Sequence, residues 1–586
     1  MITKVTLRYF KLFKEQQFEL LDNLILAGPN NAGKTTLLQA ISVWNLVARK
    51  WLLEKGPKSG SKAEKKTGVN ITRKDFSAVP LREMNLLWTD RSTGLLKAEL
   101  PPDMDHPGAK RRIVIELEWN SNTKKKTIGF ELTYQNKETI FARPAKDCSA
   151  EDIEILLEKN PIVHIPPFSG IGTEETKYDK AYQDLLIGQG KPGDILRNLL
   201  WELYDTKVYN KYLLQPSEAN SWDRLVKDIK EIFDYQLLPP AYEGRPFIIC
   251  EYKLDHHNEL ALKQSVELDI ANAGSGFLQV LMLFCFFYAR PASVLLLDEP
   301  DAHLHVILQK QVYDRIRDIA RERSCQLIIS THSEVIIDST SPDCILSFFN
   351  EPHLLCNDTE RDQVREALKR LTSLDILLAD QWQGIIYLEG NTDLNILREW
   401  AKILNHPSYN ILKANPLWHN NKGRNPHEAK AHFFALRAVK GDMNGILILD
   451  GDNRSLPDRE LLAEGLEISR WPRYEIENYL LHVEALQRFV GSLKLDLFNQ
   501  SDIDRGMDYL KNELPPAVIR NPLADHDYLN STPSSKSILP AFFKAAGIRI
   551  EKNEYYQIAE QMKPEEIHPD VLDKLDLINR IFSKIS

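Results

Sequence analysis

Two stretches of this chain end an apolar, strand-like run in acids: VLLLDEPDAHLH at 294–305 and GILILDGDNR at 445–454. Carboxylates placed at the mouth of a sheet suit phosphate chemistry assisted by metal ions. What precedes the first stretch defines its chemistry. NLILAGPNNAGKTTLLQAI (23–41) reads as a strand, a glycine-rich turn and an amphipathic helix, and its GPNNAGKT is a full G-x-x-x-x-G-K-T match. Gly28 and Gly33 let the backbone aim its N–H groups at phosphate, with Asn30, Asn31 and Thr36 as further loop contacts. Lys34 is placed to reach the terminal phosphates of a nucleotide such as ATP, and the Thr35 hydroxyl to ligate Mg²⁺. Asp298 would hold that metal, and Glu299 would orient or deprotonate the attacking water. STHS (330–333) follows the apolar run QLIIS and offers His332 to the terminal phosphate. NAGSGFLQVL (272–281) adds a Gly-Ser-Gly turn, with Ser275 and Gly276, before a helix.

The second stretch has no lysine-bearing loop before it. QGIIYLEGNTDLNILREWAKIL (383–404) again reads as strand, turn and helix, but the turn carries Glu389 and, four residues on, Asp393. Asp450 and Asp452 are two apart on a strand and so share a face. In a parallel α/β sheet that face meets Glu389 at the carboxyl edge. Carboxylates gathered there repel one another unless a cation joins them. A donor set of hard oxygens, without His or Cys, points to Mg²⁺ or Mn²⁺. One or two such metals suit hydrolysis or transfer of a phosphodiester.

Taken together, GPNNAGKTT, GSGFLQVL, LLLDEPDAHLH and STHS resemble the ATPases of the structural-maintenance/RecF type, and especially the ATPase half of OLD-family proteins. The Gly-Ser-Gly turn is similar to the signature motif of the ABC class, in which the signature of one subunit completes the nucleotide site of another. Asp301 departs from the glutamate more usual at that position. The paired E-G-x-x-D and D-x-D resemble a Toprim domain. WPRYEIENYLL (471–481) is similar to a segment of the Toprim-like effectors of the PARIS defence system, which implies Glu477 as a further metal or structural carboxylate. SSKSILPAFFKAAG (534–547) carries Lys536 where class 2 OLD nucleases are expected to have an assisting lysine. The resemblance implies an α/β protein in which an ABC/SMC-type P-loop ATPase domain (1–375, with insertions over roughly 45–270) precedes a Toprim domain (380–490) and a mostly helical region (491–586). It further implies metal-dependent cleavage of nucleic acid under ATP control. DNA is the first expectation and RNA, including tRNA, the second, in bacterial defence against phage. Implied partners are a second copy of the chain or a higher oligomer, and a phage-encoded trigger or accessory protein.

The elements that must position these residues fit the composition. A chain of 586 residues exceeds one ordinary core, and 43% apolar with 27% charged residues reads as globular. The longest apolar stretch, FLQVLMLFCFFYA at 277–289, is too short to span a bilayer and reads as a buried helix, so no membrane is expected. The six cysteines show no CxxC or zinc spacing, which fits a cytoplasmic protein and removes a zinc-bearing primase. A topoisomerase would need a DNA-gate domain with a catalytic tyrosine, for which little chain remains. The net charge of −9 opposes wholesale coating of nucleic acid but leaves room for a local track, such as the lysine-rich 49–74. The opposing functional expectation is an ATP-driven sensor whose acidic half is a docking scaffold.

Overall fold

The computed structural model describes residues 1–582 apart from 56–67, 77, 78, 80, 96–109, 122, 123, 146–149, 160, 169, 189, 190, 214–220, 255–266, 291, 350, 383, 415, 422–425, 453–462 and 494–499. The centre of the lysine-rich stretch at 49–74 therefore lies outside the described residues. The chain forms two compact units, Met1–Arg365 and Glu366–Ser586. The boundary falls ten residues before the 375 expected from sequence.

In the first unit, alternating segments pair as the antiparallel strands Ile2–Phe10 and Phe13–Glu19. They begin a six-stranded sheet that continues through Arg112–Ser121, Lys124–Asn136, Thr139–Pro144 and Val69–Thr72. A second sheet carries the nucleotide motifs. Its order is His353–Leu354, Ile345–Ser347, Asn23–Ala27, Gln326–Thr331, Val294–Asp298 and Ile162–Ile165, all parallel except the short edge strand 353–354. Continuous apolar runs such as VLLLD and QLIIST are buried at every position, as strands covered on both faces must be. The strand before the P-loop and the strand bearing Asp298 flank Gln326–Thr331 in parallel, so their carboxyl ends lie at one edge of the sheet, on either side of Thr331.

The range of roughly 45–270, in which insertions are expected, also contributes to the central sheet. Ile162–Ile165 is a strand of the central sheet, in register with Val294–Leu297. Ile162, Val163 and Ile165 are β-branched and bounded by prolines, but so short a run does not reveal its sheet, whose neighbouring strand lies about 130 positions away. The apolar 277–289 stretch falls within the helix Ser275–Ala289, which is buried from Phe277 to Tyr288, as an all-round apolar helix should be. Among the described residues no helix is long and apolar enough to cross a membrane.

The second unit has one parallel sheet of four strands in the order Trp418–Asn420, Gly384–Leu388, Asn444–Leu449 and Leu466–Arg470. One face packs Ile386, Leu388, Ile446 and Ile448 against Trp400, Phe489, Phe542, Leu575 and Phe582. The other packs Ile385, Tyr387, Leu447 and Leu449 against Phe433 and Leu436. Residues after 490 thus supply much of one core of this sheet, and the helix Pro569–Phe582 buries Val571, Leu575, Ile578 and Phe582. A sheet whose central strands are buried on both faces leaves its carboxyl edge as the place for polar groups.

Candidate functional site

The P-loop turn is built by backbone conformations that side chains resist. Gly28 and Gly33 have φ of 158° and 109°, and a Cβ on Gly33 would run into the Phe13 ring. Asn31 takes φ 64°, a left-handed conformation that asparagine tolerates. The helix Lys34–Lys55 then starts, with Thr36 buried in its first turn. Lys34 is 4% exposed. Its ammonium donates to the carbonyls of Gly28 and Pro29, both at 2.8 Å, and lies 3.1 Å from His332 Nε2. Burial lowers its pKa to about 8, against the pull of Glu299, Asp298 and Asp301.

The Thr35 hydroxyl donates to Asp298 Oδ1 at 3.0 Å, and Ser330 donates to the same oxygen. Burial raises the Asp298 carboxyl, while the Ser330 and Thr35 hydrogen bonds counteract it. Glu299 Oε1 is 3.2 Å from His332 Nε2, and that bond holds the Glu299 carboxyl below its ordinary range. Lys34, Thr35, Asp298, Glu299 and His332 therefore form one connected constellation. A hydroxyl and a carboxylate in contact beside a phosphate loop are the donor set for a nucleotide-bound Mg²⁺. Ser330 was not singled out from sequence; its place in S-T-H-S, at the end of an apolar strand, was the available signal. Ser275 is exposed at the start of its helix, and Gly276 packs on the His303 carbonyl, which a Cβ would crowd at 2.9 Å. Among the described residues no hydrogen bond or ion pair joins Ser275 or Gly276 to the P-loop of the same chain.

In the second unit Glu389 and Asp450 follow the ends of adjacent parallel strands. Asp393 is buried in the first turn of the helix Asn391–Ile403. Its carboxyl is pushed up to about 7, first by burial, then by Glu477, with Glu389 adding and Lys552 opposing. Asp450 is pushed far above the ordinary carboxylate range, by burial first and then by Glu389, Asp393, Glu477 and Glu475. Glu477, 1% exposed in the short helix Ile476–Leu480, is raised by burial and Glu475 and counteracted by Lys552. Glu389, Asp393, Asp450 and Glu477 thus share one electrostatic neighbourhood. Asp452 is half-buried two residues beyond Asp450.

Two further members are Glu475, which lies within WPRYEIENYLL but was not singled out there, and Lys552, which lies outside the quoted motifs. Glu475 accepts from the Ser535 N–H and is buried. Its E-I-E spacing to Glu477 was a readable hint. Lys552 pairs with Glu477 at 2.7 Å, and Glu477, Glu475 and Asp393 together outweigh burial and raise its pKa. Lys536 stands in the turn Ser534–Ile538, which reaches Glu475 through Ser534 and Ser535, but its side chain is exposed. The lysine ion-paired within the carboxylate group is Lys552.

The donors suit a hard divalent cation. Among the described residues, however, no group of three or more His, Cys, Asp or Glu side chains is arranged to hold one as it stands. Gly451 shows what sets the group's spacing: a Cβ there would overlap the carbonyl oxygens of Trp471 and Arg473. Gly451→Ala is expected to lose roughly 3 kcal/mol of stability, as overpacking against backbone does. Chemical denaturation checks this, and a loss under about 0.5 kcal/mol would show that the strand ends part without cost.

A family model described as "AAA domain" matches residues 4–231, and one described as "AAA domain, putative AbiEii toxin, Type IV TA system" matches 204–338. Both matches fall within the first unit, which carries AAA-type ATPase domain sequence on a P-loop α/β fold. No curated protein matches the chain. Similar solved structures include the SMC head domain from Thermotoga maritima, at 15% identity over 59% of this chain and 94% of that one, TM-score 0.30. Another is the Smc head domain with a coiled coil and joint derived from Pyrococcus yayanosii, at 12% identity over 63% and 99%, TM-score 0.36.

Proposed function

We propose that this protein is an ATP-regulated, metal-dependent nuclease of the OLD-like ATPase–Toprim kind. The observation that carries this reading is the meeting of Glu389, Asp393, Asp450 and Glu477 at the carboxyl edge of a parallel sheet, where their mutual repulsion calls for a cation. Glu389, Asp393 and Asp450, with Asp452 and Glu477, would hold Mg²⁺ or Mn²⁺, which when bound supplies an activated water and a sink for leaving-group charge. Lys552 balances the cluster and keeps Glu477 in place. In the first unit Lys34 would bind the nucleotide phosphates, Thr35 and Asp298 would hold the Mg²⁺ that travels with them, and Glu299 would take the proton of the attacking water. The ATPase units pair, so that Ser275 and Gly276 of one copy complete the nucleotide site of another. ATP hydrolysis then sets access to the carboxylate site. The likeness of residues 204–338 to a family described as "AAA domain, putative AbiEii toxin, Type IV TA system" supports a role in defence.

A second reading, in which the acidic unit is a docking scaffold for an ATP-driven sensor, is favoured by one observation: the Lys552–Glu477 pair neutralises part of the cluster without any metal. One assay separates the two. Purified protein is incubated with Mg²⁺ or Mn²⁺ and with plasmid, linear DNA or tRNA, with and without ATP. Cleavage by wild type that Asp450→Ala loses by at least about a hundredfold supports the nuclease. No cleavage of any substrate, or equal cleavage by the variant, leaves the scaffold. In the same assay Lys34→Ala is expected to change the ATP dependence of cleavage, and an unchanged profile would mean that the two units work separately.

A further inference from the structure

Glu299 is the residue on which hydrolysis turns, and its backbone is held in a conformation it does not favour. Its φ of 50° is left-handed, a region that a residue with a Cβ rarely adopts. Such a conformation persists only where neighbours over-determine it. On one side, the Glu299 N–H is shared between the Ser330 carbonyl at 3.0 Å and the Ser330 hydroxyl at 3.2 Å. On the other side is a residue that the nucleotide motifs leave unexplained. Gln279, 2% exposed within the apolar helix Ser275–Ala289, donates its Nε2 to the Glu299 carbonyl at 3.2 Å and to the Pro300 carbonyl at 2.9 Å. A buried amide in an otherwise apolar helix is costly unless its hydrogen bonds serve the structure. Here both go to the turn that aims one carboxylate. Gln279 also stands one helical turn from Ser275, on the same side of the helix whose first turn carries Gly276 against the His303 carbonyl.

We infer that Gln279 is a positioning residue for ATP hydrolysis: its side-chain amide clamps the Glu299–Pro300 turn and so aims the Glu299 carboxylate, without itself touching nucleotide. This rests on the ATPase reading above.

The test compares wild type, Gln279→Met, Glu299→Gln and the double variant, measuring kcat for ATP and the affinity for a fluorescent ATP analogue. Methionine keeps the volume and removes the donor. Gln279→Met is expected to lower kcat roughly tenfold to a hundredfold, the scale of a slightly misplaced reacting group, with analogue affinity within about threefold of wild type. Added to Glu299→Gln, it should cost less than about twofold more, because a clamp on an absent base has nothing left to aim. A wild-type kcat in Gln279→Met, a loss that appears in nucleotide affinity, or losses that multiply in the double variant would each overturn the inference. If Gln279→Met does not melt cooperatively, Gln279→Leu, which also has no donor and suits the apolar helix, is judged by the same criteria. Hydrolysis that Glu299→Gln loses and Gln279→Met keeps would sink this inference alone. Absence of hydrolysis in wild type would sink the ATPase reading and this inference with it.

Discussion

Replacing Glu299 with glutamine is expected to slow ATP hydrolysis by roughly a thousandfold, within the range for removing a general base, while nucleotide binding stays near wild type. The carboxylate lies 3.2 Å from His332, which lies 3.1 Å from Lys34, so it faces the ammonium that would meet the terminal phosphate. The hydrogen bond from His332 keeps Glu299 ionised, against burial, and so ready to accept a proton. Glutamine preserves the size and the contact to His332 but has no basic oxygen pair. The Thr35–Asp298 contact is untouched, so the metal and phosphate contacts should survive. Steady-state phosphate release and binding of a fluorescent ATP analogue decide the matter together. Hydrolysis within about threefold of wild type would move the base elsewhere.

Asp450→Asn should have the opposite effects on stability and on cation response. In wild type the folded Asp450 holds its proton far above the ordinary range, because burial and four neighbouring acids disfavour its charge. The unfolded chain gives that proton up near pH 4. Stability from this group is therefore complete below pH 4 and drains as pH rises towards the folded value. Asparagine cannot ionise, so the variant should gain on the order of 1–2 kcal/mol in cation-free buffer, more at pH 9 than at pH 5. It should also lose the rise in melting temperature that Mg²⁺ or Mn²⁺ gives wild type, since a ligand stabilises only the state that binds it. Melting curves at the two pH values, with chelator or cation, test both halves. A variant that still responds to cation like wild type would remove Asp450 from the metal set.

The nucleotide constellation was legible in the sequence because each of its parts is local. A strand, a turn and a helix within 23–41 carry their own punctuation, and VLLLDEP and QLIISTHS bring their functional groups at the ends of apolar runs. Glu389, Asp393 and Asp450 were readable for the same reason. What was hidden depends on contacts across long separations. The run Ile162–Ile165 is β-branched enough to suggest a strand, but its place in the central sheet depends on its neighbour at 294–297. Lys552 enters the acidic group from a three-residue helix at Lys552–Glu554, 75 positions after the Glu477 it pairs with. Lys536 looked the better candidate by position alone. Gln279 sat within a quoted motif, yet its meaning lies in two backbone carbonyls some 20 residues on.

The backbone contact at Gly451 makes the acidic segments a single casting. The Trp471 N–H donates to the Leu449 carbonyl at 2.9 Å, and Gly451 lies against the carbonyls of Trp471 and Arg473. The strand end that bears Asp450 is therefore keyed to the stretch that leads into Glu475 and Glu477. Neither acid pair can drift in register without dragging the other. A substitution at 451, 471 or 473 should then move all of these carboxylates together, like a shift in the pitch of a gear, whereas one at Asp393 removes a single charge from beside Asp450 and leaves the strand ends where they are.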